Sequence, residues 1–117
     1  MILSDIEQKL REVDPVVFYG CVDADSEDIK DCWNYIVFNR VKLRTAADKT
    51  SYTDVIEVHI VREEYVPDGI DIEITEKLRS IPGVKRSSED GTYDYTRKPN
   101  THHVVEMLTL TFTRARK

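Results

Sequence analysis

The feature that most restricts how this 117-residue chain can fold is a long alternating segment near its end, from Val104 to Thr113. Apart from Glu106, aliphatic and aromatic residues occupy one set of alternate positions, and threonine recurs in the other set. Successive side chains of a β-strand point to opposite faces, so the segment predicts a strand with one core face and one more polar face. Residues from Tyr52 to Arg62 alternate in the same way. The chain therefore requires a β-sheet with one face buried by other elements.

Two other segments place apolar residues at helical spacing, in one narrow stripe each. The first predicted helix runs from Ser4 to Val13, where Ser4 and Glu7 have the spacing of a capping box. The second runs from Asp68, its predicted N-cap, to Ser80, and Pro82-Gly83 closes it. The two stripes consist of Ile2, Ile6, Leu10 and Val13, and of Ile70, Ile74, Leu78 and Ile81. A helix with a single stripe covers one face of a sheet, so both are predicted to pack on the same face.

The remaining periodic segments predict four more strands, with a bulge near Asn39 in the second strand and a hairpin at Glu89-Asp90-Gly91. Tyr35, Val37, Val41 and Leu43 are predicted to be among the core residues of the second strand. The six predicted strands are 16–19, 33–44, 52–62, 84–87, 92–97 and 101–114. Every link between consecutive strands is short enough for antiparallel pairing. The sequence therefore predicts one α+β domain over 1–117, with the order αβββαβββ and a single, mostly antiparallel sheet carrying two helices on one face.

Charge and length exclude several classes of protein. The length fits one domain, no apolar run approaches a membrane span, and charged residues follow closely after Met1, so we expect neither a membrane protein nor a signal peptide. The net charge of −5 is local. Residues 1–32 hold nine acids and three bases, a balance of −6, whereas residues 33–117 hold thirteen acids and fourteen bases, a balance of +1.

The sequence contains no common catalytic motif: GxSxG, the P-loop, GxGxxG and HExxH are all missing. We therefore expect no enzyme activity and no cofactor. His102 and His103 are neighbours in a predicted strand, where they would point to opposite faces and not converge on a metal ion. Cys21 and Cys32 match no CxxC pattern and are interpreted as reduced thiols.

The acidic segment that begins Asp23-x-Asp25-x-Glu27 is similar to the start of a calcium loop, but it lacks the glycine and glutamate that such loops use at positions six and twelve. It is either a solvated connector or a weak site for a cation or a protein partner. No two carboxylates can be paired in a pocket from the sequence. No metal site is therefore predicted.

Basic residues alternate along the second strand at Arg40, Lys42 and Arg44, and Lys49 follows them. The acidic pI near 5.2 argues against a nucleic-acid site, because attraction to a polyanion would be weak. In a head-to-tail ring, the acidic segment 23–31 of one subunit could meet the basic stretch 40–49 of the next. The other interpretation is two unrelated solvated loops.

One stretch carries a likeness to a known family: Gly91-Thr92-Tyr93-Asp94-Tyr95-Thr96-Arg97, then a polar turn and the alternating strand from Val104 to Thr113. Together with Trp33-Asn34-Tyr35-Ile36-Val37 and the order of elements, it resembles the tail terminator (tail-completion) proteins of long-tailed bacteriophages and prophages. That family often has proline where this chain has Asn34.

The resemblance implies a structural virion protein with no active site and no cofactor. Such a protein forms a ring, expected to be a hexamer, that caps the tail tube, ends tail polymerisation and docks the head. Its partners would be copies of itself, the major tail tube protein and a head-completion or connector protein. DNA would pass through the ring without sequence-specific binding. We expect it at the head-proximal end of the phage tail, and in the host cytoplasm during assembly.

Ten residues are predicted to contact neighbouring subunits or the tail tube: Asp23, Asp25, Asp28, Arg40, Lys42, Arg44, Lys49, Asp90, Asp94 and Arg97. The loops at 46–50 and 87–92 are predicted to contact the tube or the head. Two other functions stay open at this point. One is a head–tail connector or head-completion subunit, and the other is a small α+β ligand-binding domain or enzyme.

Overall fold

A computed structural model describes residues 2–20, 33–45, 52–87, 90–98 and 102–116. The predicted α+β class and the order αβββαβββ are confirmed, and all six strands belong to one sheet. The elements are α1 (Ile2–Arg11), β1 (Val17–Tyr19), β2 (Tyr35–Thr45), β3 (Tyr52–Glu63), α2 (Ile70–Arg79), β4 (Val84–Arg86), β5 (Thr92–Arg97) and β6 (Val104–Arg116).

The long strands β3 and β6 lie at the centre of the sheet, whose order is β1-β2-β3-β6-β4 with β5 also beside β6. All neighbours are antiparallel except β1 and β2, which are parallel. The prediction that every link supports antiparallel pairing is therefore wrong for β1. The chain between Tyr19 and Tyr35 is longer than the dozen or so residues that a parallel crossover needs.

The predicted hairpin between β4 and β5 is also wrong. Both strands pair with β6 along the same edge, β4 with residues 112–114 and β5 with residues 104–109. They can lie end to end because β6 is 13 residues long. The pair therefore acts as one interrupted strand beside β6.

Both helices lie largely on one side of the sheet, as predicted, and their stripes form the core with the facing strand residues. Ile6 and Leu10 of α1 and Ile74 and Leu78 of α2 are at most 1% exposed. The facing residues are Ile36, Phe38, Ile56, Val58, Ile60, Leu108, Leu110 and Phe112. The predicted division of β3 and β6 into two faces is therefore confirmed.

Both predicted helix caps are wrong. Ser4 lies inside α1, which begins earlier because Leu3 also packs against the core. The N-cap of α2 is Gly69, not Asp68, and no side chain caps that end. Gly69 has a φ of 97°, in the left-handed region that glycine adopts without steric cost.

The far half of β2 extends beyond the core. The predicted bulge is present between Arg40 and Lys42. The core cluster ends at Phe38 on this strand, and every residue from 40 to 45 is exposed. Tyr35 and Val37, predicted to be core residues, are only half-buried, and the core residues are Ile36 and Phe38 instead. Residues 35–38 are all aromatic or aliphatic, so their pattern does not show which set faces the helices. Val41 and Leu43, also predicted to be core residues, are 46% and 47% exposed. The prediction fails because an alternating pattern does not show where the helix layer stops.

A mostly buried ion pair joins the α1–β1 connection to the sheet. Arg62 Nη2 lies 2.7 Å from Asp14 Oδ2, and the side chains are 15% and 7% exposed. The amide of Val16 donates to Asp14 Oδ1 at 2.8 Å, and Arg62 Nη1 donates to the carbonyl oxygen of Val61 at 2.9 Å. These bonds compensate the desolvation of both charges, so the pair has a structural role.

Candidate functional site

The structure places the predicted contact residues that it describes at two opposite edges of the sheet. Arg40, Lys42 and Arg44 lie on the far half of β2, and Asp94 and Arg97 lie on β5. Asp90 is exposed just before β5. Asp23, Asp25, Asp28, Lys49 and the loop 46–50 lie outside the described residues. Within one chain, the basic set and the set on β5 are therefore not brought together.

We call residues 40–45 the β2 edge. The short strand β1 pairs only with residues 36–38, so no strand in the described part of the chain covers the outer side of the β2 edge. Arg40 Nε donates to the hydroxyl oxygen of Tyr19 at 3.2 Å, where β1 ends. An uncovered strand is a template for pairing with another chain, and cationic side chains restrict which chains can pair with it.

The two faces of the β2 edge differ in chemistry. Lys42 is opposite Val55 and Arg44 is opposite Thr53, on the face away from the helices. Leu43 is opposite Asp54 on the helix face. Asp54 is only 4% exposed, and its Oδ2 lies 3.8 Å from Arg114 Nη1. The edge therefore presents Lys42 and Arg44 on one face, and Leu43 together with Arg40, which is opposite Ile56, on the helix face. This combination suits a protein segment that carries carboxylates.

We call the outer side of residues 92–97 the β5 edge. All six residues of β5 are exposed, including Tyr93 at 54% and Tyr95 at 65%. A hydrogen bond with Glu106 raises the pKa of Tyr95, and Glu106 Oε1 in turn accepts from the amide of Val66 at 2.7 Å. Exposed tyrosines are typical of protein contact surfaces. The Tyr-Asp-Tyr alternation did not indicate this exposure, because alternating aromatic residues also occur on buried strands.

His59 lies near the middle of the sheet face away from the helices. Its Nδ1 is 2.8 Å from Thr109 Oγ1, and its Nε2 is 3.1 Å from Asn39 Oδ1, so the ring links three strands. Burial lowers the pKa of His59, although the carboxylates of Glu57 and Asp94 oppose this effect. The neutral ring therefore satisfies two neighbouring polar groups, and the arrangement is structural.

This lowered pKa predicts that the protein loses stability on mild acidification. The unfolded state binds a proton at His59 more readily, so its contribution to stability is complete above the unfolded pKa near 6.5. It declines as the pH falls from there towards the folded pKa. Urea unfolding at pH 7.5 and pH 5.5 should show a smaller loss in His59→Gln than in the wild type. Equal losses would contradict the assignment.

One depression, of about 270 Å³, lies on the β2 edge itself beside Leu43 and Asp54. Two others could be considered as ligand sites. The first, about 130 Å³, is formed by Trp33, Tyr35, Val61, Met107 and neighbours, and is smaller than the roughly 300 Å³ of typical small-molecule pockets. The second, about 420 Å³, opens beside Glu63, where Lys98 forms an ion pair with the Glu63 carboxylate. In the described ranges, no three His, Cys, Asp or Glu side chains are grouped to hold a metal ion.

The exposed His102 and His103 precede β6, and His103 borders the second depression.

No helix in the described part of the chain is long and apolar enough to cross a membrane. No model of a known protein family matches this chain, and no curated protein is detectably similar to it. The two sheet edges are thus the surfaces that we take as the candidate functional site.

Proposed function

We propose that this chain is a virion assembly protein of the tail terminator type. Copies of it form a ring, a hexamer, on the finished tail tube. The ring ends tube polymerisation and provides the surface on which the filled head docks. The observation that carries the proposal is the exposure of β5, the strand at the centre of the sequence resemblance. Its tyrosines contribute little to the core, so a contact surface accounts for them better than folding does.

The cationic β2 edge supports the same function. A ring of identical subunits needs two different surfaces on each subunit, because its contacts are head to tail. Lys42 and Arg44 are exposed on one such surface, and acidic residues are concentrated in the first third of the chain. Opposite charges in a subunit contact select the register and the partner more than they add affinity.

The dimensions are compatible with a ring around DNA. The Cα radius of gyration is 15.1 Å, and the longest dimension is 52 Å. Six such subunits can enclose a channel wide enough for a DNA duplex. The proposed partners are the major tail tube protein on one face and a head-completion or connector protein on the other.

The test is to mix the purified chain with tail tubes that lack a terminator, and to image the ends by negative stain. Light scattering across a range of concentrations measures the state of the free chain. We expect hexameric rings at one end of each tube, even if the free chain is monomeric. A chain that stays monomeric with tubes present would overturn the proposal. Binding to a head connector but not to tubes would instead indicate a head-completion subunit.

A further inference from the structure

We infer that neighbouring subunits join edge to edge, with the β5 edge of one copy pairing antiparallel with the β2 edge of the next. The sheet would then continue from subunit to subunit. This inference rests on the proposed ring and specifies its repeated contact. It assigns to β5 and β2 a main-chain contact, in addition to the charge attraction between loops expected from the sequence.

The backbone of the β2 edge has hydrogen-bonding groups that point away from the sheet. Ile36 donates to Val16 and Phe38 accepts from Gly20, so the alternate residues 36 and 38 direct their backbone groups outward. Their partners on β3 are Ile60 and Val58, and β3 pairs with β6 without a register shift down to Tyr52. Leu43 is opposite Asp54, an even-numbered residue of β3 like Ile60 and Val58. Beyond the bulge, Leu43 and Thr45 therefore direct their N–H and C=O groups outward.

The β5 edge has the complementary property. The amide of Ser87 donates to the carbonyl oxygen of Thr111, and the amide of Lys98 donates to that of His103. The backbone groups of odd-numbered residues in and just before β6 therefore face β4 and β5. Thr92, Asp94 and Thr96 are opposite the odd residues 109, 107 and 105 of β6. Their backbone groups face β6, which leaves those of Tyr93, Tyr95 and Arg97 directed outward. In the described structure, no other strand covers them.

Two of the registers that bring these outward groups together are also favourable for the side chains. If Leu43 is opposite Tyr95, then Arg44 is opposite Asp94. If Leu43 is opposite Tyr93, then Lys42 is opposite Asp94. In each case, the apolar pair lies on the helix face and the ion pair on the other face, as a continuous sheet requires. Pairing between two β2 edges would instead place cations opposite one another.

The two edges lie at different heights on the sheet. Through the strand pairing, Leu43 is level with position 114 of β6, whereas Tyr95 and Tyr93 are level with positions 106 and 108. Neighbouring subunits would therefore be offset by about 20–26 Å along the strands. The four strands from the β2 edge to the β5 edge span about 19 Å across the sheet. Copies joined in this way close into a ring if the strands tilt by roughly 45–55° from the ring axis. That tilt is near the roughly 35–45° of closed β-barrels.

Disulfide cross-linking tests the contact directly. One variant chain combines Leu43→Cys with Tyr95→Cys, and a second combines Leu43→Cys with Tyr93→Cys, so that each register is tested. Both also carry Cys21→Ser and Cys32→Ser, and each is oxidised with diamide, free at high concentration and with tail tubes present. We expect a ladder of covalent oligomers on a non-reducing gel, because each subunit would bond to two neighbours. The control combines Leu43→Cys with Ile72→Cys, which is 60% exposed on α2 and away from both edges. The inference would be overturned if neither chain gave a longer ladder than the control, or if both gave dimers only.

A matched pair at Leu43 tests the main-chain hydrogen bonds. Leu43→Pro removes an outward amide that β3 does not use, and proline is tolerated at such edge positions. Leu43→Ala shortens the side chain and keeps the amide. We expect both variants to fold by circular dichroism, and only Leu43→Pro to lose at least tenfold in ring formation on tubes. If wild-type rings form and both variants assemble equally, the edge pairing fails and the tail function stands. If the ladder forms but the wild-type chain does not bind tubes, the edge pairing stands and the tail function fails.

Discussion

Reversing two charges on the β2 edge, with Lys42→Glu and Arg44→Glu, should leave the chain folded and prevent ring assembly on tail tubes. Both side chains are exposed, so we expect a stability change within about 0.5 kcal/mol. In a ring, the same residues would face carboxylates of the next subunit, and reversal places like charges together. We expect the chain concentration needed to cap tubes to rise at least about tenfold, equivalent to about 1.4 kcal/mol.

The control makes the same change of net charge elsewhere. Arg79→Glu and Lys9→Glu alter side chains at the end of α2 and on α1, away from both sheet edges. This variant should cap tubes as the wild type does. Arg40 is left unchanged in the first comparison because it contacts Tyr19, and adding Arg40→Glu should strengthen the defect. Equal capping by the two double variants would show that the β2 edge makes no contact.

Removing Asp14 from its mostly buried ion pair with Arg62 should lower the free energy of unfolding more than the other substitutions discussed. Asp14→Ala leaves the guanidinium of Arg62, whose side chain is 15% exposed, without its carboxylate, and also removes the acceptor of the Val16 amide. Breaking a buried ion pair in this way costs about 3–5 kcal/mol. Urea unfolding followed by circular dichroism at neutral pH measures the loss. We expect a large shift of the midpoint with an unchanged slope.

The double variant Asp14→Ala, Arg62→Met separates the unpaired charge from the loss of packing. An apolar pair avoids the desolvated charge, so the double variant should recover at least about half of the loss. Glu7→Ala is the comparison for an exposed pair, since its carboxylate lies 3.6 Å from Arg11 on the surface of α1. That change should cost less than about 1 kcal/mol. A similar cost for Asp14→Ala would contradict the structural role of the buried pair.

The sequence alone was enough to predict the elements and the faces of both helices, β3 and β6, because periodicity is a local property of the chain. It did not predict the core face of β2, where residues 35–38 are all aromatic or aliphatic. The spacing of Ile74 and Leu78 predicted a buried helix stripe, and the alternation in β6 predicted its two faces. The change of register in β2 predicted a bulge that lies close to its expected position. The basic residues of the β2 edge and the Tyr-Asp-Tyr strand were also identified from their patterns as candidate contacts.

The tertiary structure decided what depends on residues far apart in the sequence. The parallel pairing of β1, and the position of β4 and β5 end to end beside β6, follow from which strand each one meets. The exposure of Leu43 follows from the position where the core ends, since an alternating strand has the same pattern inside or beyond the helix layer. For the same reason, only the tertiary structure identified the two candidate contact segments as edges of one sheet that no other described strand covers. Sequence patterns determine which side of a strand is apolar, whereas the order of strands in a sheet determines which backbone groups are left for a partner.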